Sequence, residues 1–405
     1  MSLIVQKYGG SSAADAENIK NIARRVIATK EKGSKVVVVI SAMGDTTDEL
    51  LRLAHQISSQ PDERELDFLL STGEIVSSTL LAMALKAFGH KAISLSGSQA
   101  GIQTDSTYSQ ARIRAIDPQR ISRELEKDNI VVVAGFQGVT ENLDITTLGR
   151  GGSDTTAVAL AVSLGADICH IYSDVDGVHT ADPRLVPDAR KLQEIEYEEM
   201  VELATYGFKV LHPRAVEIGQ IYRMPILVAS SFNDNAGTVI RGGIPMEVRN
   251  KVRGIAHDLD VAKVTVLGVP DRPGIASTIF EPLAKANVSV DTIVQNASVE
   301  GITDLTFTVT RNDLSKALET TEPIAKSIGA KGCAVDAQLG KVSIVGTGMQ
   351  NTPGYAARMF RTLYDAGINI EVITTSEIRI TCIVSETEVA DAVSALHKAF
   401  DLDRE

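Results

Sequence analysis

The stretch Leu148-Gly149-Arg150-Gly151-Gly152-Ser153-Asp154-Thr155-Thr156 decides how this chain is interpreted. Glycines surround one arginine, and an alanine-rich apolar run, 157–162, follows. The pattern predicts a tight loop that leads into a helix, with Ser153 or Asp154 as the N-cap residue. A helix N-terminus binds anions through its free N–H groups, and the guanidinium of Arg150 fits a carboxylate or a phosphate. The alternative is a capped helix after a glycine turn that binds no ligand.

The composition restricts the class of protein. A length of 405 residues exceeds a single hydrophobic core, so two or three domains are expected. A net charge of -12 and an aromatic content of 4% argue against a general nucleic-acid binder. Cys169, Cys333 and Cys382 lack metal-site spacing, which predicts reduced thiols in a cytoplasmic protein. The first residues show no signal-peptide pattern and the apolar runs are of strand length, so no membrane span is expected.

A loop of small residues follows the first predicted strand. The apolar residues 3–5 lead into Lys7-Tyr8-Gly9-Gly10-Ser11-Ser12, and a helix is predicted over 13–32. A strand, a glycine loop and a helix in this order can hold phosphate groups. The segment matches neither a Walker motif nor a dinucleotide fingerprint, since the lysine precedes the glycines. A solvated lysine at a strand end is therefore the alternative.

Two more segments place small or charged residues beside predicted helices. The apolar strand 36–40 leads into Ser41-Ala42-Met43-Gly44-Asp45-Thr46-Thr47, which precedes a helix over 48–58. Further on, Ser71-Thr72-Gly73-Glu74 is predicted to open a helix. Ser71 and Glu74 fit a capping box. The functional alternative makes Glu74 the partner of a substrate ammonium group.

Strands and helices alternate throughout the first half of the chain. Further strands are predicted at 91–95, 130–134, 167–172 and 226–228. This order predicts an α/β fold with a mostly parallel sheet and helices on both faces. Ligands of such sheets bind at the carboxyl ends of the strands. Because the loops with Lys7, Ser41, Arg150 and Asp174 each follow a predicted strand, we expect them to meet at one edge of the sheet.

Four motifs in order resemble the aspartate kinases, a family of the amino-acid kinase superfamily. They are Lys7-Tyr8-Gly9-Gly10-Ser11-Ser12, Ser71-Thr72-Gly73-Glu74, Gly149-Arg150-Gly151-Gly152-Ser153-Asp154 and Ser173-Asp174-Val175-Asp176-Gly177. The resemblance covers the whole chain and implies a three-layer αβα kinase domain over 1–245, with ATP and Mg²⁺ as cofactors. It implies that the side-chain carboxylate of L-aspartate is phosphorylated to 4-phospho-L-aspartate, the first step of lysine, threonine and methionine biosynthesis.

The resemblance also implies a role for individual residues. Lys7 and Asp154 are implied to be catalytic. Residues implied to bind ATP are Lys7, Gly9, Gly10, Ser173, Asp174, Asp182, Arg184 and Lys209. Residues implied to bind the substrate are Ser41, Thr47, Glu74, Arg150, Gly151, Gly152 and Ser153. Within that set Glu74 would hold the amine and Arg150 the α-carboxylate. No side chain is assigned as a metal ligand.

This reaction needs no general base. A side-chain carboxylate has a pKa of about 4, so it is ionised at pH 7 and can attack the γ-phosphoryl group directly. The protein has to supply in-line positioning and neutralisation of charge, which Lys7, Mg²⁺ and helix N-termini can provide. We interpret His212, just before Pro213 at an expected helix start, as structural. For Asp154 two interpretations stay open: a helix cap, or a carboxylate that orients Lys7.

The second half of the chain contains an internal repeat. The pair Pro273-Gly274 recurs 80 residues later as Pro353-Gly354, each time after an apolar strand. Each copy predicts the order strand, helix, strand, strand, helix, which is typical of a ferredoxin-like module. The copies resemble ACT domains, which bind amino acids as regulators. Because the first copy is inserted into the second within the family, the implied boundaries are 264–337 for the first domain and 246–263 with 338–405 for the second.

The ACT resemblance implies regulation by lysine, threonine or both. The residues implied to bind these regulators are Asp271, Pro273, Gly274, Ile275, Asp291, Gln295, Asn296, Asn351, Gly354, Tyr355, Thr374, Thr375 and Glu377. With the repeat offset, Asp271 corresponds to the neutral Asn351, so the two pockets are expected to differ. The resemblance also implies a homo-oligomer joined through the ACT domains, and Met246 is a candidate start of a separate regulatory chain. The alternative is a dimerisation module without a ligand.

Two other functions stay open for the sequence. One is a related carboxylate or carbamate kinase, and the other is a non-catalytic amino-acid sensor that retained the fold. The ACT-like tail and the pairing of Glu74 with Arg150 favour aspartate as the substrate. The intact Lys7 and glycine loop argue against a sensor.

Overall fold

The computed structural model describes residues 2–244, 252–298, 301–350 and 352–404. The chain forms two compact units. The first consists of Met1–His179 and Lys191–Arg249, and the second of Thr180–Arg190 and Asn250–Glu405. Strands and helices alternate in both units, which confirms the predicted α/β class. The three cysteines are described and form no disulfide.

The first unit contains one large sheet, one small sheet and several helices. Its strands are β1 Leu3–Tyr8, β2 Lys35–Ile40, β3 Ala92–Leu95, β4 Ile102–Thr104, β5 Ile113–Ile116, β6 Ile130–Ala134, β7 Gln137–Val139, β8 Ile145–Thr147, β9 Ile168–Ser173, β10 Glu194–Ile195, β11 Ile226–Ser230 and β12 Thr238–Ile240. Its helices are α1 Ala16–Glu31, α2 Thr46–Ile57, α3 Glu63–Ala87, α4 Gln119–Glu126, α5 Gly152–Leu164, α6 Tyr197–Thr205 and α7 Pro213–Tyr222.

The large sheet is mostly parallel, as predicted. Its strand order is β10-β12-β11-β9-β1-β2-β6-β3, and the β11–β12 pair is antiparallel. Strand β1 lies between β9 and β2, with Lys7 opposite Ile171 on one side and Val39 on the other. Parallel neighbours end at the same edge, so the residues that follow β9, β1, β2 and β6 meet there.

Helices cover both faces of this sheet. On one face the apolar stripes of α1 and α3 pack against Val36, Val38 and Ile40 of β2 in a single buried cluster. Helix α5 packs against β1, β2 and β9. Successive residues of a strand face opposite sides, and Tyr8 belongs to the α1–α3 cluster. Lys7 therefore faces the side of α5, which brings it to the glycine-rich stretch that precedes that helix.

The small sheet is a feature that the sequence did not predict. Its order is β5-β4-β7-β8, and its strands are three or four residues long, too short to show a period. Asp67 of α3 anchors it. The buried Asp67 carboxylate accepts hydrogen bonds from the Thr147 N–H at 2.8 Å, the Thr147 hydroxyl at 2.7 Å and the Ser109 N–H at 2.9 Å. This contact fixes the end of β8, from which the chain enters the 149–152 loop.

Helix α3 begins earlier than predicted. It starts at Glu63, where the Asp62 carboxylate caps it by accepting from the Glu65 N–H. Ser71 and Glu74 lie in its middle, and the Ser71 hydroxyl donates to the Phe68 carbonyl. The capping-box interpretation of these two residues is therefore wrong. Within the part of the chain that the structure describes, α3 is also the one helix long and apolar enough to cross a membrane, although half of its most apolar window is buried in the fold.

Helix α5 is capped by a glycine rather than by a polar side chain. Its N-cap is Gly151, whose φ of 72° lies in the left-handed region that suits glycine. Ser153 and Asp154 are in the first turn, and neither side chain makes a capping hydrogen bond. The prediction that one of them is the N-cap is wrong, because Gly151 allows the chain to turn sharply two residues before Ser153.

The second unit has a single antiparallel sheet. Its strands are β13 Gly254–Pro270, β14 Ile293–Gln295, β15 Ile302–Val309, β16 Gly332–Val345, β17 Val372–Thr375 and β18 Arg379–Ser385. Its helices are α8 Ile275–Lys285, α9 Leu314–Ser327, α10 Tyr355–Asp365 and α11 Val389–Ala399. The strand order is β14-β15-β13-β16-β18-β17. The predicted order of strand, helix, strand, strand, helix occurs twice, and α8 and α10 each begin directly after a Pro-Gly pair.

Strand β13 belongs to both halves of this sheet. Its first part, residues 254–258, pairs with residues 341–345 of β16, and its later part, 262–270, pairs with β15. Two buried clusters match this division. One contains Ile255 together with Val342 and Leu396, and the other contains Val264 with Phe307.

The segment Thr180–Arg190 packs within the second unit. The Thr180 carbonyl accepts from the Ile255 N–H at 2.8 Å, and the Thr180 hydroxyl lies 2.9 Å from His397 Nε2. Arg190 Nε donates to the Leu402 carbonyl at 3.1 Å. The segment falls within the stretch 1–245 that was predicted to form the kinase domain. Its apolar side chains, buried in the same cluster as Ile255, explain its placement.

Candidate active site

A buried ion pair joins the first strand to helix α5. Lys7 Nζ lies 2.7 Å from Asp154 Oδ1, with the two side chains 11% and 10% exposed. Asp154 Oδ2 accepts from the His212 N–H at 3.3 Å. Lys7 thus has a fixed position at the carboxyl end of the central strand. Of the two interpretations of Asp154, the geometry favours the carboxylate that orients Lys7, since the helix cap is Gly151.

Two glycine-containing loops lie beside this pair. The Gly9 N–H donates to the Tyr172 carbonyl at 3.2 Å, and the Gly44 N–H donates to the Gly10 carbonyl at 3.0 Å. A Cβ atom on Gly10 would lie 3.0 Å from the carbonyl oxygens of Ala42 and Gly44. The loops after β1 and β2 are therefore packed too tightly for a side chain at this position. Such close backbone approach is typical of loops that hold phosphate groups.

Among the acids of this region, Glu74 has the most strongly shifted pKa. It is 3% exposed, its Oε1 accepts from the Ala42 N–H at 3.1 Å, and its Oε2 has no hydrogen-bond partner. Burial raises the pKa of Glu74 to about 7, although the hydrogen bond from Ala42 opposes the shift. A buried carboxylate with one unmatched oxygen is suited to a cationic ligand group. Ser41, beside Ala42, and Thr47, in the first turn of α2, flank the same loop.

The glycine-rich loop before α5 is held closely by its neighbours. A Cβ atom on Gly151 would lie 2.4 Å from Cδ2 of His212, and one on Gly135, after β6, would lie 2.7 Å from Oγ of Ser153. Gly152 is buried in the first turn. Arg150 between them is exposed and forms no ion pair with the described residues. The loop backbone is thus fixed, while the guanidinium is available to a ligand.

The residues predicted to bind the nucleotide divide between the two units. Ser173 ends β9 and the exposed Asp174 follows it, so both lie at the same sheet edge as Lys7. Lys209 is exposed in the loop between α6 and α7. Asp182 and Arg184 belong to the second unit, where Arg184 Nη2 lies 2.7 Å from Asp182 Oδ2. The hydrogen bonds from Arg184 lower the pKa of Asp182.

Some residues that build this region were not predicted from the sequence. His212 was interpreted as structural, and it is indeed the N-cap residue of α7, with Nδ1 accepting from the Arg214 N–H. Gly135 and Asp67 were not singled out. Asp67 carried a signal, because it is an acidic residue within an apolar helical run. Gly135 carried no such signal, since a side chain is excluded there by the close approach of Ser153, which is distant in the sequence.

Several of the residues predicted to bind regulators lie beside the two Pro-Gly turns. In the second module a cavity of about 230 Å³ is lined by Gly354, Tyr355, Thr375 and Glu377, among others. The Thr374 hydroxyl accepts from Arg379 Nη1 at 3.2 Å. Asn351 lies outside the described residues.

In the first module, Gly274 caps α8 with a φ of 87°, after the exposed Asp271 and Pro273. Ile275, the first residue of that helix, is buried. Gln295 and Asn296 are exposed at the edge strand β14 and just beyond it. The Asp291 carboxylate forms an ion pair with Lys341.

Comparison with known proteins identifies the domains. Residues 2–230 match the amino acid kinase family, and residues 263–325 and 342–400 each match the ACT domain. An aspartokinase of Mycolicibacterium smegmatis is 50% identical over 408 aligned residues, which cover 99% of this chain and 97% of that protein. The chain belongs to the aspartokinase family. It is therefore an enzyme, an aspartate kinase domain followed by two ACT domains.

Solved aspartokinases share this fold. The aspartate kinase of Synechocystis is 45% identical, with a TM-score of 0.55, and the match covers 99% of this chain and 70% of that one. The aspartokinase III of E. coli, solved in complex with aspartate and ADP, is 24% identical, with a TM-score of 0.84 over 98% of this chain and 99% of that one. The second likeness concerns the fold alone.

Proposed function

We propose that this member of the aspartokinase family transfers the γ-phosphoryl group of ATP to the side-chain carboxylate of L-aspartate. The product would be 4-phospho-L-aspartate, made in the cytoplasm as the first step towards lysine, threonine and methionine. The observation that carries the proposal is the buried Lys7–Asp154 ion pair at the carboxyl end of the central strand. It lies beside two glycine loops, and Glu74 is hydrogen-bonded to the second of them.

Charge neutralisation at a fixed point is the main contribution of the protein. Lys7 would hold negative charge on the transferred group, and Asp154 keeps its ammonium in place. A Cβ atom on Gly9 would lie 3.6 Å from Lys7 Nζ, so the backbone that would hold phosphate is near the same ammonium. The described residues contain no cluster of three metal-ligating side chains. Mg²⁺ would be held mainly by the nucleotide phosphates, as is usual for kinase sites, and would neutralise their charge when bound.

Two charged side chains would recognise the amino acid. The unmatched Oε2 of Glu74 fits the substrate ammonium, and the exposed guanidinium of Arg150 fits its α-carboxylate in a two-point contact. The side-chain carboxylate is left free to attack the phosphoryl group. It is ionised at neutral pH and needs no base.

Trapping of the acyl phosphate tests the proposal. The chain is incubated with ATP, Mg²⁺, hydroxylamine and one candidate acid at a time, and the hydroxamate is measured. We expect product with L-aspartate. Product with a different acid alone would favour the related carboxylate or carbamate kinase, and no product with any acid would favour a sensor.

Substrate selection gives a prediction for Arg150. The variant Arg150→Lys should raise KM for aspartate about tenfold, because an ammonium cannot reproduce a two-point contact with a carboxylate. The affinity for ADP should stay close to that of the wild type. Arg114→Lys, at an exposed arginine paired with Glu141 on the surface, is the matched control. A collapse of ADP affinity in Arg150→Lys would assign Arg150 to the phosphate site instead.

Regulation by lysine and threonine is the second part of the proposal. We infer ACT boundaries of 264–337 and of 246–263 with 338–405, supported by the pairing of residues 254–258 with 341–345. Asp271 beside the first Pro-Gly turn offers a carboxylate to a regulator's ammonium, and the N-terminus of α8 offers N–H groups to its carboxylate. Paired chains would bind these regulators between their ACT domains.

Asp271 is expected to affect inhibition rather than catalysis. Asp271→Ala should raise the half-inhibitory concentration of one regulator about tenfold, since one charged contact is lost, and leave the uninhibited kcat unchanged. Activity is measured against lysine and threonine, singly and together. Two ligands that favour one inactive state should reinforce each other. Wild-type activity that is indifferent to both amino acids would leave the ACT domains as dimerisation modules.

A separate regulatory chain would lack part of the second unit. Its start near Met246 lies outside the described residues. Such a chain would lack Thr180–Arg190, whose carbonyl, hydroxyl and apolar groups complete the second unit around Ile255 and His397. We expect it to depend on a partner that supplies equivalent contacts.

A further inference from the structure

A second cavity opens on the β5 side of helix α5. Its volume is about 580 Å³, and three arginines line it: Arg112 just before β5, Arg150 of the glycine loop and Arg214 of α7. Ile113, Leu148 and Ile218 supply an apolar wall. Three arginines from separate segments of the chain thus line one space. Neither Lys7 nor Asp154 lines this cavity.

The charges around the cavity are poorly balanced. Arg214 is tied to the fold, with its two terminal nitrogens donating to the Leu148 carbonyl at 2.8 Å and the Ala111 carbonyl at 3.1 Å. Burial lowers the pKa of Arg214, and repulsion from Arg112 lowers it further, while Glu217 and Asp105 oppose the shift. Glu217 is the one acidic residue among those that line the cavity, and His212 is the remaining titratable group. Positive charge therefore exceeds negative charge inside this space.

Thr155 supplies an independent indication of a ligand. It is 1% exposed, lines the cavity, and its hydroxyl has no hydrogen-bond partner. The next residue behaves differently, since the Thr156 hydroxyl donates to the Gly152 carbonyl at 2.9 Å, the usual arrangement for threonine in a helix. A buried hydroxyl without a partner is costly. A ligand oxygen in the cavity would satisfy it.

The cavity and the candidate active site lie on different faces of α5. Asp154 and Thr155 are successive residues of a helix, so their side chains point about 100° apart. The Asp154 carboxylate pairs with Lys7, whereas Thr155 lines the cavity. Arg150, in the glycine-rich loop before α5, is the residue shared by both sites.

We propose that this cavity binds a small organic molecule that carries a phosphate group. A phosphate dianion offers acceptors in several directions, which matches donors from three segments better than a planar carboxylate would. The apolar wall is suited to the organic part. The inference includes an effect on catalysis that rests on the proposed role of Arg150: a ligand that engages this guanidinium would compete with the α-carboxylate of aspartate and raise its KM.

Binding can be measured without any catalytic turnover. We would titrate the full-length protein with inorganic phosphate and with phenyl phosphate by calorimetry at low ionic strength, with chloride as the control anion. Arg112→Gln should weaken phenyl phosphate binding about tenfold, and Glu217→Gln should tighten it about threefold, since each changes one charge beside the ligand. Arg114→Gln, two residues further along in β5 and outside the cavity lining, should leave binding unchanged.

A Lys7→Ala variant separates this site from the nucleotide site. Binding that persists in Lys7→Ala and is weakened in Arg112→Gln supports the cavity. Binding that is lost in Lys7→Ala and unaffected by Arg112→Gln would overturn the proposal, because the anion would then occupy the nucleotide site. Arg112→Gln and Glu217→Gln should retain the basal kcat in the absence of phosphate esters. Failure of the kinase proposal alone would abolish the effect on KM but not the calorimetric signal.

Discussion

Replacement of Lys7 by alanine is expected to lower kcat about 10²–10³-fold while KM for aspartate changes little. The reason is that the ammonium would neutralise charge that develops during phosphoryl transfer, whereas substrate binding relies on other groups. In the free enzyme the change leaves Asp154 buried beside His212 without its cation. Initial rates of hydroxamate formation, measured over a range of aspartate concentrations, separate the two parameters.

Controls distinguish catalysis from folding in this experiment. Lys20→Ala removes an exposed lysine that pairs with Glu17 on α1, and it should be indistinguishable from the wild type. Asp154→Asn keeps Lys7 but removes the carboxylate that holds it, so an intermediate loss of kcat is expected. Near-normal kcat in a folded Lys7→Ala protein would exclude the proposed role of this lysine.

The second large effect is that of Glu74 on KM for aspartate and on the pH dependence of kcat/KM. Glu74→Gln should raise KM for aspartate about 10²-fold at pH 8, since removal of one partner from a buried charge pair costs several kcal/mol. Burial raises the pKa of Glu74 to about 7 in the free protein, and the substrate ammonium requires the ionised form. In the wild type, kcat/KM should therefore fall as the pH drops below about 7. In Glu74→Gln this part of the pH profile should be absent.

The same residue should show an opposite effect on stability. Its pKa is higher in the folded protein than the ordinary value of 4.5, so the folded state holds the proton more tightly and loses stability as the pH rises from 4.5 to about 7. At pH 8 the ionised carboxylate should cost up to about 3 kcal/mol. Urea unfolding should find Glu74→Gln more stable than the wild type at pH 8 and similar to it near pH 5.

Glu126→Gln, at an exposed position of α4, is the matched control for stability. It should leave the unfolding midpoint unchanged at both pH values. If Glu74→Gln were less stable than the wild type at pH 8, the carboxylate would stabilise the fold, which would contradict its proposed role in binding a cationic ligand.

Much of the first unit could be predicted because its signals are local. Buried parallel strands such as Val36–Ile40 form continuous apolar runs, and small residues follow them where loops must pack closely. The start of α3 was predicted too late. Asp62 and Glu65 carried the pattern of a polar cap followed by an acid, but Ser71 and Glu74 carry a similar pattern, which predicts a helix start there instead. The strands of the small sheet were missed for another reason: three residues cannot display a period.

The candidate site was only partly predictable from the sequence. Individual motifs indicated Lys7, Glu74 and Arg150, but the pairing of Lys7 with Asp154 depends on the register of β1 and the placement of α5, which no local pattern encodes. The unmatched oxygen of Glu74 is likewise a property of packing. The cavity lined by Arg112 and Arg214 arises from residues far apart in the chain, and neither residue belongs to a motif.

The way Thr180–Arg190 joins the second unit restricts the order in which the chain can fold during its synthesis. A ribosome releases this segment well before the residues that bind it, and its apolar side chains have no cluster to enter until β13, β16 and α11 are made. His397 and Leu402, which complete its hydrogen bonds, appear 217 residues after Thr180 and 212 residues after Arg190, respectively. Strand β13 is in a similar position, because residues 254–258 must wait for 341–345. The second unit therefore closes only after the residues up to Leu402 have been made, and the nascent chain has an incomplete sheet until then.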